Sequence, residues 1–156
     1  MDPIVQSRKN YIEKLHLEFL KSNFHFLYEK SDTDYGIPDL FGIDNETYEL
    51  KSRMYPRNSL KSSTQYAWWS LSRDQINLFE KRKDFSDKNY FWIFMLCYTD
   101  KNLGDYSNNI CEDDISFRDV YVTPWNTYKS FDKGSNYINV GKNALVKKLS
   151  SIGSDD

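Results

Sequence analysis

Three residues in one short stretch, Asp39, Glu49 and Lys51, have the types and spacing for hydrolysis at a bound cation. They lie in Gly36–Lys51, GIPDLFGIDNETYELK, which reads as a β-hairpin. Pro38 marks the start of a strand, because proline is not tolerated inside a central one. Leu40 to Ile43 is short and apolar, as a buried strand should be. Asp44-Asn45-Glu46 supplies residues that tolerate tight or left-handed turns. From Thr47 to Arg53 the chain alternates, with Glu49, Lys51 and Arg53 on one face and Tyr48, Leu50 and Ser52 on the other. A turn centred near Asn45 sets Asp39 opposite Lys51 and diagonal to Glu49, within the roughly 7–8 Å that long side chains bridge across a strand pair. Two carboxylates that close repel each other unless a positive charge lies between them. Oxygen-only ligands suit Mg²⁺, Mn²⁺ or Ca²⁺ better than zinc.

Pro38-Asp39, nine intervening residues and then Glu49-Leu50-Lys51 resembles the signature of the PD-(D/E)XK, or restriction endonuclease-like, nuclease superfamily. The resemblance implies an α/β fold with an αβββαβ core, a mixed central sheet and flanking helices. It implies that Asp39, Glu49 and the Leu50 carbonyl hold Mg²⁺, with Mn²⁺ able to substitute, and that Lys51 acts at the reacting phosphate. The first helix of the superfamily often adds a glutamate. Glu13 and Glu18 are the candidates, and the placement of Glu13 before Phe24 favours it as a catalytic and metal-site residue.

The elements that must position these residues follow the implied order. Residues 5–22 carry Val5, Ile12, Leu15, Phe19 and Leu20 near helical spacing. Phe24 to Glu29 alternates as a strand. After the hairpin, Met54 to Thr64 reads as a loop. Ser72 opens a second helix, and Gln75 stands at the capping-box position. In several branches of the superfamily a glutamine on this helix lies near the active site, although capping alone accounts for Gln75. Asn89 to Thr99 is the clearest strand, aromatic and apolar on both faces, placed after a helix as a crossover requires. The resulting order is αβββαβ. Beyond it, Val120–Thr123 and Tyr137–Val140 read as strands, Asn143–Leu149 as a closing helix, and residues 151–156 as a disordered tail. Residues 1–150 form one domain on this reading.

Composition bounds the partners. The 156 residues carry a net charge of −2 and 17% aromatics, which excludes a uniformly basic coating protein. Between Lys51 and Lys83, however, eight basic residues face two acids, a local balance of +6. Phosphate contacts dominate nucleic-acid affinity. Arg53 and Arg57 beside the motif, with Lys61, Arg73 and Gln75 further on, are the candidate DNA contacts. Trp68-Trp69 reads as one tryptophan in the core and one partly exposed. Cys97 and Cys111 suit reduced, cytoplasmic thiols. The longest uncharged run, Asn89–Thr99, is too short to span a bilayer. Neither histidine has zinc-ligand spacing, and no glycine-rich phosphate loop or Gly-x-Ser-x-Gly element occurs.

These readings make the chain a metal-dependent DNA endonuclease leaving 5′-phosphates, of a sequence-specific restriction or homing type acting as a homodimer. The alternatives are a Holliday junction resolvase or repair nuclease, and a non-catalytic nucleic-acid-binding module on the same fold.

Overall fold

The computed structural model describes residues 2–28, 37–56, 68–105, 109–131, 134–141 and 148–153. The first helix, α1 (Pro3–Asn23), starts where the Asp2 carboxylate accepts the Ile4 N–H at 2.8 Å. Pro3 occupies its first turn, where a missing N–H costs nothing. The helix slightly overruns the predicted 5–22 at both ends and buries His16, Leu17 and Leu20. Phe24 stops it with an extended backbone (φ −138°, ψ 163°).

Three strands follow: β1 (Phe26–Tyr28), β2 (Leu40–Gly42) and β3 (Thr47–Pro56). Then come β4 (Trp68–Ser72), α2 (Arg73–Glu80), β5 (Tyr90–Thr99), β6 (Ile115–Pro124), β7 (Tyr137–Gly141) and β8 (Lys148–Gly153). The main sheet has the order β1-β2-β3-β5-β6-β8. Among the described residues only the β3–β5 pair is parallel, and α2 makes the crossover between its two strands. The αβββαβ order and mixed sheet read from the sequence are thus present, with β4 inserted before α2.

The sheet divides two cores. On one face, Leu17 and Leu20 of α1 pack on Leu40, Leu50, Ile93, Met95 and Cys97. On the other, Ile76 and Phe79 of α2 and Trp69, Leu71, Ile138 and Val140 of the β4–β7 pair cover Trp92, Phe94 and Leu96. Trp125, in a 3-10 turn (Trp125–Phe131), stacks on Trp92 at 4.2 Å between centroids and 8° between planes. The aromatic run of β5 is therefore buried on both faces, as its composition requires. Trp69 is core, and its indole N–H donates to the Met95 carbonyl at 3.0 Å.

Several boundaries depart from the sequence reading. Met54–Pro56 continues β3, because its parallel pairing with β5 runs to Pro56↔Thr99. Trp68–Ser72 is a strand, paired with β7. Residues 148–153 pair with β6 as an edge strand, so a helix does not continue through Leu149, and 151–153 are in the sheet rather than in a disordered tail. Residues 142–147, the rest of the expected closing helix, lie outside the described residues. Among the described residues no helix is long and apolar enough to cross a membrane.

A polar chain that runs from the surface to the interior ties α1 to the sheet. Arg118 of β6 pairs with Glu112 through two bonds (2.5 and 2.9 Å), and its Nε donates to His16 Nδ1 at 3.3 Å. The proton of the ring therefore sits on Nε2, which faces Cys97 Sγ at 3.7 Å. The Arg118 guanidinium also lies 4.1 Å from the Phe19 ring centroid. Burial first, and the Arg118 charge second, push His16 down to about 3, while burial drives the Cys97 thiol up to about 12. Both groups are neutral in the fold.

Two outcomes follow from these features. His16 titrates near 6.5 when unfolded and near 3 when folded, so the unfolded chain binds the extra proton. Its contribution is whole above the unfolded value and drains away as pH falls towards 3, at up to about 1.4 kcal/mol per pH unit. Urea unfolding at several pH values should show this slope, flattened in His16→Gln; equal slopes would contradict it. Asn45 at the hairpin turn has φ 66°, so Asn45→Val should cost about 1–2 kcal/mol while Asn45→Gly should be nearly neutral. Equal effects of the two changes on the urea midpoint would contradict that account of the turn.

Candidate active site

The site lies where β2 and β3 part. The Gly42 N–H donates to the Glu46 carbonyl at 2.8 Å, closing the turn around Asn45. Leu40 then faces Tyr48 and Phe41 faces Thr47. Continued one step, this register sets Asp39 opposite Glu49, not opposite Lys51 as a turn centred on Asn45 predicts. On this register the two acids hold facing positions. Asp39 stands just before β2, where Pro38 ends strand pairing, and its Oδ2 accepts the Leu50 N–H at 2.9 Å. One backbone donor that β2 would otherwise satisfy is thus taken by the aspartate. Asp39 is 0% exposed and Glu49 3%.

On β3 the predicted alternation holds. Glu49, Lys51 and Arg53 pair in register with Trp92, Phe94 and Leu96, whose side chains lie on the α2 face. Leu50 turns to the α1 face. Lys51 Nζ lies 3.6 Å from Glu49 Oε2.

Gln75 completes the cluster. Its Nε2 donates to Glu49 Oε2 at 3.1 Å, and its Oε1 accepts from Lys51 Nζ at 2.5 Å. Capping explains only its backbone: the Gln75 N–H donates to Ser72 Oγ at 3.3 Å. The side chain, which the capping reading sent back to Ser72, points to β3 instead. Both ends of α2 are fixed, Ser72 holding the first turn and Glu80 Oε2 accepting from Trp125 Nε1 (2.9 Å) and Tyr128 Oη (2.8 Å).

Glu13 is half-buried on α1, across the sheet from Gln75, in a cleft that Leu50 and Lys51 also line. Glu18 is exposed beside Lys21 at 3.8 Å. Among the described residues no three acidic, histidine or cysteine side chains converge as a metal cluster. Arg53 is exposed, with its guanidinium 5.4 Å from the Tyr55 ring centroid. Arg73 Nε donates to the Ser135 carbonyl at 2.8 Å, tying α2 to the turn before β7. Arg57 and Lys61 lie outside the described residues.

A donor set of two carboxylates fits a hard divalent cation. Mg²⁺ commonly takes one or two protein carboxylates and keeps several waters, so three acidic ligands are not required.

No family profile matches the chain, and no curated protein matches it. Among solved structures the chain is similar to that of Hjc, a Holliday junction resolvase from Archaeoglobus fulgidus. The identity is 10% and the TM-score 0.42, over 92% of this chain and 90% of that one. The functional reading below therefore rests on the site's own geometry.

Gln75→Leu should destabilise the fold by about 1–3 kcal/mol, because it strips a donor from the buried Glu49 carboxylate. Ser72→Ala should cost about 1 kcal/mol through the lost cap. Chemical denaturation of both variants checks this. A neutral Gln75→Leu would mean that the bridge carries no stability.

Proposed function

We propose that this chain is a metal-dependent endodeoxyribonuclease. The observation that carries the reading is the pair of buried carboxylates, Asp39 and Glu49, at a strand fork with Lys51 held beside them by Gln75. A fold gains nothing by burying two like charges together unless a ligand uses them. A purely binding role would be served by the basic residues alone.

Asp39, Glu49 and the Leu50 carbonyl would hold the cation, with Glu13 left out of the direct ligand set. When bound, a divalent ion lowers the pKa of a water and neutralises charge building on the phosphate. The residues of the chain do the rest. The Leu50 N–H orients the Asp39 carboxylate. Gln75 holds Glu49 and Lys51 at fixed separation. The Lys51 ammonium donates to the oxyanion that develops as water adds to phosphorus. The phosphorus–O3′ bond then breaks, leaving a 5′-phosphate and a 3′-hydroxyl.

The preference for a sequence-specific restriction or homing substrate gains no support from the described residues. A junction or repair substrate is therefore tested beside duplex DNA. Asp39→Asn, Glu49→Gln and Lys51→Met should each lower cleavage by at least about 100-fold, in line with loss of one electrostatic donor or ligand. Their circular dichroism should stay that of the native protein. Plasmid duplex and a four-way junction, each in Mg²⁺ and in EDTA, are the substrates. Unaltered cleavage by Asp39→Asn would remove the site, and binding without cleavage by the wild type would favour the non-catalytic module.

A further inference from the structure

The charges gathered at the fork do not cancel. Asp39 and Glu49 hold facing positions, and both are buried. Lys51 Nζ lies 3.6 Å from Glu49 Oε2, and Gln75 joins the two, donating to the carboxylate and accepting from the ammonium. A carboxamide is uncharged, so Gln75 fixes the separation of those charges without altering their balance. Two carboxylates and one ammonium leave the cluster with a single negative charge. A divalent cation held by the acids turns that into a single positive charge, with the Lys51 ammonium close by. Like charges a few ångströms apart in a site poor in water repel strongly. The Lys51 side chain is 21% exposed and that of Glu49 3%, so the ammonium is the end of this pair that an incoming anion can reach.

We infer that Lys51 couples the cation to the phosphate: its ammonium holds cation affinity low until a phosphodiester anion reaches it, and the two ligands then load together. Three features argue for it. The ammonium is tied to one of the two acids that would hold the cation, so the two positive charges draw on the same carboxylate. Gln75 keeps the ammonium there, so a cation entering the site meets its full charge. A phosphodiester carries one negative charge, and the cluster is neutral only when cation and phosphate are both bound. Linkage makes the effect reciprocal: the phosphate strengthens the cation as much as the cation strengthens the phosphate. This coupling rests on the nuclease reading and regulates its site, loading the cation with the substrate rather than before it.

Isothermal titration calorimetry with MnCl₂, on protein without DNA, tests the coupling. Lys51→Met should bind Mn²⁺ about 5–150-fold more tightly than the wild type, the usual range of coupling between two sites. Lys51→Gln, which keeps a hydrogen-bond donor for Gln75, should do the same. Arg53→Met removes an exposed cation from the same strand face and should have a much smaller effect, because salt screens exposed charges. Dimethyl phosphate, a minimal phosphodiester anion, replaces chloride at equal ionic strength in a second titration. It should raise the Mn²⁺ affinity of the wild type and leave that of Lys51→Met unchanged. Mn²⁺ affinity no higher in either uncharged variant, an equal gain in Arg53→Met, or a wild type indifferent to dimethyl phosphate would each overturn the inference; the last needs no variant to fold. Cleavage by the wild type in Mg²⁺ decides the nuclease reading separately: tighter Mn²⁺ binding by Lys51→Met in a protein that cuts nothing keeps the coupling and loses the nuclease, and cleavage with unaltered Mn²⁺ affinity does the reverse.

Discussion

Everything in this fold that bears on function depends on one electrostatic constraint, the burial of Asp39 and Glu49 at the fork of the hairpin. An isolated charge taken out of water costs on the order of several kcal/mol. The structure meets that cost with donors from three directions. The Leu50 N–H serves Asp39, Gln75 serves Glu49, and Lys51 supplies the countercharge. The hairpin sets the separation of the acids, since the turn around Asn45 fixes which residues face each other.

The rest of the molecule holds those donors in place. Gln75 is useful only if α2 cannot rotate, and α2 is just eight residues long. Its rigidity comes from outside: Ser72 caps it, Ile76 and Phe79 bury against Trp125 and its neighbours, and Glu80 receives two aromatic donors. The stacked Trp92–Trp125 pair links that assembly to the central strand next to β3. On the other face, the Arg118–His16 contact seats α1. The high aromatic content thus builds the layer that carries Gln75.

Much of this was legible in the residues. The alternation of β3, the apolar β5 and the Ser72 cap are local patterns, and local patterns determine them. The register was not legible to one residue, because Asp44-Asn45-Glu46 permits more than one turn centre and the Gly42–Glu46 closure selects one. Gln75 was ambiguous for a definite reason: the third residue after a helix cap can turn back to the cap or outward to a neighbour, and only the position of β3 decides. β8 was misread because the free edge of β6, a distant partner, makes residues 148–153 a strand. Spacing along one helix singles out Glu13, and the structure sets it in a cleft that Leu50 and Lys51 also line.

The most direct measurement is the position of a bound cation. In an anomalous difference map from crystals grown with MnCl₂, the account predicts one peak within about 2.6 Å of both the Asp39 and Glu49 carboxylates and of the Leu50 carbonyl. The peak should be lost in Asp39→Asn. A Mn²⁺ peak elsewhere, with none between Asp39 and Glu49, would contradict it.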